Sequence, residues 1–218
     1  MTHRLLPLLA VLFACSDPGS AEAGTLLDAK GHPRTQAAGP LAEGQAEAVF
    51  AGGCFWCMEK PFDKLDGVLS TTSGYTGGER EGPTYREVGY HETQHLEALR
   101  VVYDPKKVSY DRLLEVFWHN IDPTQADGQF CDRGHQYTTA VFVANNGERK
   151  AAEKSKKAAA KTLGQPIVTD IREAATFWVA EEYHQDFYVK DPSHYSRYRL
   201  GCGRDARLKE LWGDAAGH

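Results

Sequence analysis

The sequence predicts one domain of the α+β class over residues 47–213. Dense apolar patterning begins near Ala48, after a stretch rich in Gly, Ala, Pro and Gln. Strand-like and helix-like segments both follow, but they do not alternate as strict βαβ units, which favours α+β over a parallel α/β fold. The composition, 41% hydrophobic and 25% charged, is ordinary for a globular protein.

The first half of this domain is predicted to contain three strands and two helices. Gly52-Gly53 ends the first strand, and Ser109 is typical of the residue that caps a helix N-terminus. β-Branched and alternating apolar positions indicate the strands. In chain order, the elements are a strand at 48–51, a helix at 54–64, strands at 68–75 and 96–103, and a helix at 110–120.

The second half is predicted from the same patterns. A charged, alanine-rich segment indicates a mostly solvated helix, and Asp191-Pro192 is predicted to end regular structure. The tail beyond it, with Tyr195, Tyr198 and Cys202, is expected to be irregular. The preceding elements are a strand at 139–144, a helix at 148–163, strands at 167–171 and 177–180, and a helix at 181–189.

Residues 1–23 have the pattern of a signal peptide. A short basic start precedes the apolar run 5–14, which is shorter than the about 20 residues that span a bilayer. Two ways of processing this segment remain open: cleavage after Ala23, or a lipoprotein signal that ends before a lipidated Cys15. Either one predicts a periplasmic or lipid-anchored protein of the bacterial cell envelope. Residues 24–46 are expected to be a flexible linker.

Charge and cysteine content exclude two classes of protein. The net charge is -5, with both signs spread along the chain, so the basic stripe of a nucleic-acid binder is absent from the sequence. Five cysteines without a regular framework do not fit a small disulfide-stapled scaffold.

The segment around Cys54 is the strongest chemical signal. Gly52-Gly53 allow a sharp turn, after which Cys54 lies at a helix N-terminus, where unpaired N–H groups and the helix dipole favour the nucleophilic thiolate. Phe55 and Trp56 follow directly. They would place an aromatic wall beside the sulfur, which suits an apolar, sulfur-bearing substrate. A buried, inert thiol is the alternative.

Other patterns allow different chemistry. Cys54 and Cys57 form a C-x-x-C pair, which occurs in thiol redox proteins and in zinc sites, the latter here with Cys131 and His135. Residues 91–95 match the zinc-protease pattern H-E-x-x-H, with Glu115 as a third ligand. That pattern needs a regular helix, whereas a predicted strand begins at Leu96, so we do not expect zinc hydrolysis.

An ordered series of motifs resembles the A-type peptide methionine sulfoxide reductases. The resemblance covers roughly residues 49–203. The matching segments are GGCFWCMEKPFDKLDGV at 52–68, SGYTGG at 73–78, Pro83-Thr84-Tyr85, His95-Leu96-Glu97, Asp122-Pro123-Thr124-Gln125, Asp132-x-Gly134-x-Gln136-Tyr137 and Tyr183-His184-Gln185.

This resemblance implies a two-layer sandwich with a mixed β-sheet and packed helices, forming a single catalytic domain. Cys54 would be the nucleophile, and Phe55 and Trp56 would hold the S-methyl group. The other implied roles are Glu97 as the acid, Tyr85 and Tyr137 as hydrogen-bond donors to the sulfoxide oxygen, Asp132 as support, and Cys202 as the resolving cysteine.

The chemistry of sulfoxide reduction requires the same residue types. The oxygen must be protonated as the sulfur is attacked, and a carboxylic acid kept neutral by burial can supply that proton. Tyrosine hydroxyls can polarise the S–O bond. The product is a sulfenic acid on Cys54, which a second thiol converts to a disulfide and an external dithiol then reduces.

Two extra cysteines leave the resolving residue open. Position 57 is often Gly in the family, and Cys131 is also additional. Cys202 is favoured as the resolving cysteine, Cys57 is a competitor, and Cys131 could relay a disulfide to the surface. We expect a monomer without cofactor or metal, which acts on free or protein-bound methionine sulfoxide, repairs oxidised proteins and uses a thioredoxin-like reductant outside the cytosol.

Overall fold

The computed structural model describes residues 27, 31, 33–90 and 93–217, so the expected signal peptide and Cys15 lie outside it. Across these described ranges, seven strands form one mixed sheet in the order β1-β9-β3-β4-β2-β7-β8, in which only β7 and β8 pair in parallel. Strands β5 and β6 form a separate hairpin. The strands are β1 Gln36–Ala37, β2 Ala46–Gly52, β3 Val68–Thr76, β4 Leu96–Tyr103, β5 Gly128–Gln129, β6 Asp132–Arg133, β7 Thr139–Val143, β8 Asp170–Glu173 and β9 Trp178–Val179.

Helices pack beside this sheet, as expected for the α+β class. They are α1 Phe55–Asp63, α2 Tyr85–Gly89, α3 Tyr110–His119, α4 Asn146–Leu163, α5 Phe187–Lys190, α6 Pro192–Gly201 and α7 Arg204–Trp212. Short 3-10 turns occupy His135–Tyr137, Glu182–His184 and Gly213–Ala215. Within the described part of the chain, no helix combines the length and apolar character required to cross a bilayer.

The main core lies between one face of the sheet and helices α1, α3, α4 and α7. Along β2, Phe50 points into this core, whereas Val49 and Ala51 belong to a smaller cluster. Phe50 stacks on Phe62 and Phe117, with ring centroids 5.4 and 5.0 Å apart. Burial of each such side chain contributes about 1.5–3 kcal/mol, so α1 and α3 are held firmly against the strand that carries the Gly52-Gly53 turn.

The C-terminal region differs from the sequence prediction. The expected irregular tail is helical, because Asp191 accepts a hydrogen bond from the His194 N–H at 3.0 Å and Pro192 starts α6. Apolar periodicity fails here because two buried positions of α6 and α7 are arginines, Arg199 and Arg204. The predicted helix at 181–189 is interrupted at Asp186, whose φ is 52°.

Several short elements were not predicted. Helix α2 is only five residues long and depends on a capping box between Thr84 and Glu87. The β5–β6 hairpin is also short. Inside the expected linker, β1 pairs with β9 at the edge of the sheet.

Candidate active site

One cavity brings most of the predicted site residues together. Its volume is about 120 Å³, and it is lined by Cys54, Phe55, Trp56, Tyr85, Glu97, Asp132, Tyr137, His184 and Tyr198. Larger clefts lie elsewhere among the described residues, two of about 330 Å³ and one of about 180 Å³, and a cysteine lines none of these three. The small cavity is therefore the candidate active site.

Cys54 lies between β2 and α1 and occupies the N-cap position of that helix, as predicted. The turn before it requires glycine. Gly53 has a φ of +79°, and a Cβ at this position would lie 2.5 Å from the Cβ of Gln129. A Cβ at Gly52 would lie 2.5 Å from the Met58 Sδ. Both glycines let the backbone approach its neighbours closely enough to present Cys54 to the cavity.

The two buried cysteines of the C-x-x-C pair have thiols of different pKa. Burial, the neighbouring Cys57 and the carboxylate of Glu97 raise the pKa of Cys54 well above its usual value, although a hydrogen bond from Tyr198 opposes this. The pKa of Cys57 falls to about 6, because the Cys54 thiol donates a hydrogen bond to it and two buried arginines lie nearby. The resting proton therefore lies on Cys54, and the helix N-terminus alone does not make Cys54 the thiolate.

Glu97 supplies a buried acid beside Cys54. It projects from β4, and its Oε2 accepts a hydrogen bond from the Phe55 N–H at 3.2 Å. Burial raises its pKa to about 8, more than this hydrogen bond lowers it, and Asp132 adds a like charge. At neutral pH the carboxylic acid is mostly protonated and can donate to an atom in the cavity.

Two tyrosine hydroxyls face the same space. Tyr85 begins α2, where its backbone N–H donates to Glu181 Oε1 at 2.8 Å, and Tyr137 lies in a 3-10 turn. Burial raises the pKa of both phenols, and the negative charge of Glu97 raises them further. The neighbouring Tyr137 hydroxyl acts in the opposite direction and lowers the pKa of Tyr85. Both groups stay protonated and can donate to an oxygen that gains negative charge.

Aromatic side chains form the apolar wall of the cavity. Trp56 stacks on Phe187 with centroids 3.7 Å apart, and its Nε1–H donates to His184 Nδ1 at 3.1 Å. Burial lowers the pKa of His184 to about 4, so its neutral ring can accept this bond. The His184 ring also lies 4.9 Å from that of Phe55. The packed rings form an apolar surface that suits a methyl group or another small apolar substituent.

Asp132 joins the cavity to the C-terminal helices. It lies on β6, and its Oδ2 accepts a hydrogen bond from the Tyr198 hydroxyl on α6. Burial raises its pKa, whereas the Tyr198 bond and Arg204 lower it. The neighbouring Cys131 forms a disulfide with Cys202 at the end of α6, with 4.9 Å between the Cα atoms. Cys202, the expected resolving cysteine, is thus bonded to Cys131 in this structure, whereas Cys54 and Cys57 are free.

The zinc alternatives do not fit the described residues. Cys131 is bonded to Cys202, so it is not available to a site with Cys54, Cys57 and His135. For the H-E-x-x-H pattern, residues 91 and 92 lie outside the described ranges, residues 93–95 are not helical, and β4 begins at Leu96. Both ring nitrogens of His95 already have polar partners. Nδ1 accepts a hydrogen bond from the Gly78 N–H at 3.1 Å, and Nε2 lies 2.7 Å from the Arg80 oxygen.

Sequence reasoning assigned no site role to two cavity residues, His184 and Tyr198. The Tyr183-His184-Gln185 segment was a signal for the first, but its link to Trp56 depends on a contact between residues 128 positions apart. Tyr198 was not recognised as a site residue because its segment was expected to be irregular. The assembled site contains a thiol pair, a protonated acid, two phenol donors and an apolar wall. Together these groups can break a polarised bond at a sulfur atom by reduction.

Comparison with known protein families supports this chemistry. The family model described as "Peptide methionine sulfoxide reductase" matches residues 46–216. "Peptide methionine sulfoxide reductase MsrA" of Bacillus licheniformis is 51% identical over 175 residues, which cover 79% of this chain and 97% of that protein.

Solved structures give the same result. Mxr1 from Saccharomyces cerevisiae in reduced form is similar with a TM-score of 0.66 and 27% identity, over 78% of this chain and 92% of that one. Methionine sulfoxide reductase A of Corynebacterium diphtheriae is similar with a TM-score of 0.62 and 31% identity, over 76% and 81% of the two chains.

Proposed function

The chain belongs to the peptide methionine sulfoxide reductase family, and we propose that its cavity holds the sulfoxide sulfur against Cys54. The enzyme reduces methionine S-sulfoxide to methionine with electrons from thiols, as the sequence predicted. One observation carries the proposed geometry: a free cysteine, a neutral buried acid and an aromatic wall share a cavity of about 120 Å³. The aromatic wall of Phe55 and Trp56 would receive the methyl group.

In the first step, the Cys54 sulfur attacks the sulfoxide sulfur while Glu97 gives its proton to the oxygen. Tyr85 and Tyr137 donate hydrogen bonds to that oxygen as negative charge develops on it. The oxygen moves to Cys54, which becomes a sulfenic acid, and methionine leaves with two additional electrons. The former thiol proton of Cys54 replaces the proton that Glu97 gave up, so no net proton is consumed.

In the second step, we propose that Cys57 resolves the sulfenic acid. Its backbone N–H donates to the Cys54 oxygen at 3.1 Å, and both cysteines are buried and free. Cys202 has a different partner in this structure, Cys131. The Cys57 thiolate attacks the Cys54 sulfur, the S–O bond breaks, and Glu97 protonates the departing hydroxide to water. A Cys54–Cys57 disulfide results.

Electrons for the next cycle then come from an external dithiol. We propose that a thioredoxin-like reductant outside the cytosol reduces the Cys131–Cys202 disulfide, and that the two thiols released there reduce the Cys54–Cys57 disulfide by exchange and re-form their own bond. Cys131 is exposed, whereas Cys54 and Cys57 are buried, so a protein reductant can reach the Cys131–Cys202 pair more readily. The signal-peptide pattern of residues 1–23 supports export, and the substrates outside the cytosol would be oxidised envelope proteins.

Turnover of the separate S and R epimers of methionine sulfoxide, with dithiothreitol as reductant, tests this function. We expect consumption of the S epimer only, and no turnover by the Cys54→Ser variant. A Ser155→Ala variant, changed far from the cavity, serves as the matched control and should keep normal turnover. No turnover of either epimer by folded, reduced protein would contradict the proposal.

A further inference from the structure

Glu181 joins three separate segments around the cavity. Its Oε1 accepts a hydrogen bond from the Tyr85 N–H at 2.8 Å, and its Oε2 accepts one from the Tyr75 hydroxyl at 2.8 Å. Its backbone oxygen accepts a third from the His184 N–H at 2.9 Å. The two side-chain partners lie 96 and 106 positions away in the sequence. This carboxylate is therefore a tertiary link between α2, β3 and the 3-10 turn that carries His184.

The backbone that carries Glu181 is fixed by the sheet. Strand β9 ends at Val179 and pairs with β3, and the Ala180 N–H donates to the Ser73 oxygen at 2.9 Å. The Glu181 residue is half-buried, and each carboxylate oxygen accepts one hydrogen bond. A carboxylate on a fixed backbone, with both oxygens engaged, can determine where its two partners lie.

The position of Tyr85 depends on this contact. Helix α2 has only five residues, so it has little stability of its own. Its capping box provides acceptors for the N–H groups of Thr84 and Glu87. Tyr85 is the first residue of the helix, where an N–H has no acceptor within the helix, and Glu181 provides the acceptor. The contact thus fixes the backbone from which the Tyr85 side chain enters the cavity.

The second partner, Tyr75, packs beside the catalytic groups. Its side chain is fully buried, and its ring centroid lies 5.9 Å from that of Phe55. In the pairing of β3 with β4, Tyr75 lies directly opposite Glu97. Glu181 therefore ties Tyr85 to the part of the sheet that carries the acid, and it does so without entering the cavity.

We propose that Glu181 is a positioning residue for sulfoxide reduction, because it holds the Tyr85 hydroxyl where it can donate to the sulfoxide oxygen. This inference rests on the proposed function of Tyr85 as a hydrogen-bond donor to that oxygen. Glu181 is not one of the described residues that line the cavity. It acts through Tyr85 and not on the substrate.

Hydrogen exchange tests the contact in the native protein. Because the Tyr85 N–H has no acceptor within its helix, its exchange with solvent should be slow only while Glu181 binds it. By NMR we expect exchange at least about tenfold slower than in an unstructured peptide, and loss of this protection in Glu181→Ala. An unprotected Tyr85 amide in the native protein would overturn the proposal, even if every Glu181 variant failed to fold.

Single-turnover kinetics separate positioning from a general structural role. Glu181→Gln keeps the shape of the side chain but leaves one acceptor oxygen for two donors. Methionine formation is measured with this change in the native, Tyr137→Phe and Tyr85→Phe backgrounds. We expect about tenfold slowing in the first two, but less than about twofold in Tyr85→Phe, where no hydroxyl remains to be positioned. The matched control is Glu182→Gln, which changes an exposed neighbour paired with Lys190 and should slow none of the three.

The possible failures are distinguishable. Equal slowing in all three backgrounds would overturn the inference, since Glu181 would then act on stability or on Glu97, whose pKa is raised mainly by burial and to a smaller extent by the charge of Glu181. A native rate in Glu181→Gln would overturn it as well. A native rate in Tyr85→Phe would contradict the role of Tyr85 and this inference together, whereas a native enzyme that forms no methionine would contradict the proposed function itself.

Discussion

The backbone N–H of Phe55 donates a hydrogen bond to Oε2 of Glu97 at 3.2 Å. This contact joins the first turn of α1, which follows the nucleophile, to the acid on β4. The pleat of β4 and the N-terminus of α1 thus set the distance between the Cys54 sulfur and the Glu97 carboxyl group. Because the contact involves the backbone, substitutions of the Phe55 side chain leave it in place.

Replacement of the acid should slow the first step. In Glu97→Gln the amide cannot give a proton to the sulfoxide oxygen, so methionine formation should fall by about 10²–10⁴-fold. Rapid-quench measurement of methionine after one turnover would test this. A rate within threefold of the native enzyme would mean that another group, such as a tyrosine, supplies the proton.

The same step should depend on pH in a defined direction. The acid must be protonated, and its pKa is raised to about 8 by burial. The single-turnover rate should therefore be high at pH 7 and fall as the pH rises through about 8. The protein should remain folded over this range, which circular dichroism can confirm. A rate that increases steadily from pH 7 to 9 would exclude Glu97 as the acid.

The glycine turn should be sensitive to a single methyl group. Gly53→Ala introduces a side chain at φ +79° and within 2.5 Å of the Gln129 Cβ. Gly164→Ala is the matched control, because Gly164 also has a positive φ, +64°, but has open space around it. The control should cost roughly 1–2 kcal/mol of unfolding free energy. Urea denaturation should show a larger loss for Gly53→Ala, together with reduced activity; equal losses would mean that the Gln129 contact relaxes freely.

The hydrogen bond between Trp56 and His184 should affect substrate binding. His184→Phe keeps a ring in place but removes the Nδ1 acceptor, which leaves the indole N–H unpaired at a cost of about 1 kcal/mol. We expect KM for the S-sulfoxide to rise severalfold with a smaller change in kcat. Ser155→Ala removes a similar acceptor from Trp118, 2.9 Å away in the native protein, and should leave KM unchanged. An unchanged KM in His184→Phe would show that ring packing alone positions Trp56.

The Cys131–Cys202 disulfide should stabilise the fold. It links residues 71 positions apart and holds the β5–β6 hairpin to the end of α6. Loss of such a crosslink typically costs about 2–4 kcal/mol. Urea unfolding of Cys131→Ser, compared with oxidised native protein, should show this difference, and reduced native protein should behave like the variant. Identical midpoints for all three samples would contradict a structural contribution.

The sequence predicted the parts of the site that are local. Gly52-Gly53 and Cys54 are adjacent, so the strand-turn-helix geometry could be inferred from a few residues. Glu97 and the tyrosines required the family resemblance, because they reach the cavity from separate strands and turns. The mixed sheet was also implied by that resemblance, and its strand order depends on pairings between distant segments.

The parts that the sequence did not predict depend on buried polar residues. Helices α6 and α7 carry buried arginines where a helix pattern normally shows apolar residues, so their segment was expected to be irregular. The Cys131–Cys202 pairing depends on the position of the β5–β6 hairpin, which carries Cys131, relative to the end of α6, which Cys202 follows. Burial raises the pKa of Cys54, and the charge of Glu97, which lies far from it in sequence, raises this pKa further.

The central claim is that Cys54 receives the oxygen. The most direct measurement uses the Cys57→Ser/Cys202→Ser variant, fully reduced, mixed with methionine S-sulfoxide in the presence of dimedone and analysed by peptide mass spectrometry. We predict one equivalent of methionine and a dimedone adduct on Cys54, because the sulfenic acid has no resolving thiol beside it. Methionine formation with the adduct on another cysteine, or with no adduct at all, would contradict the account.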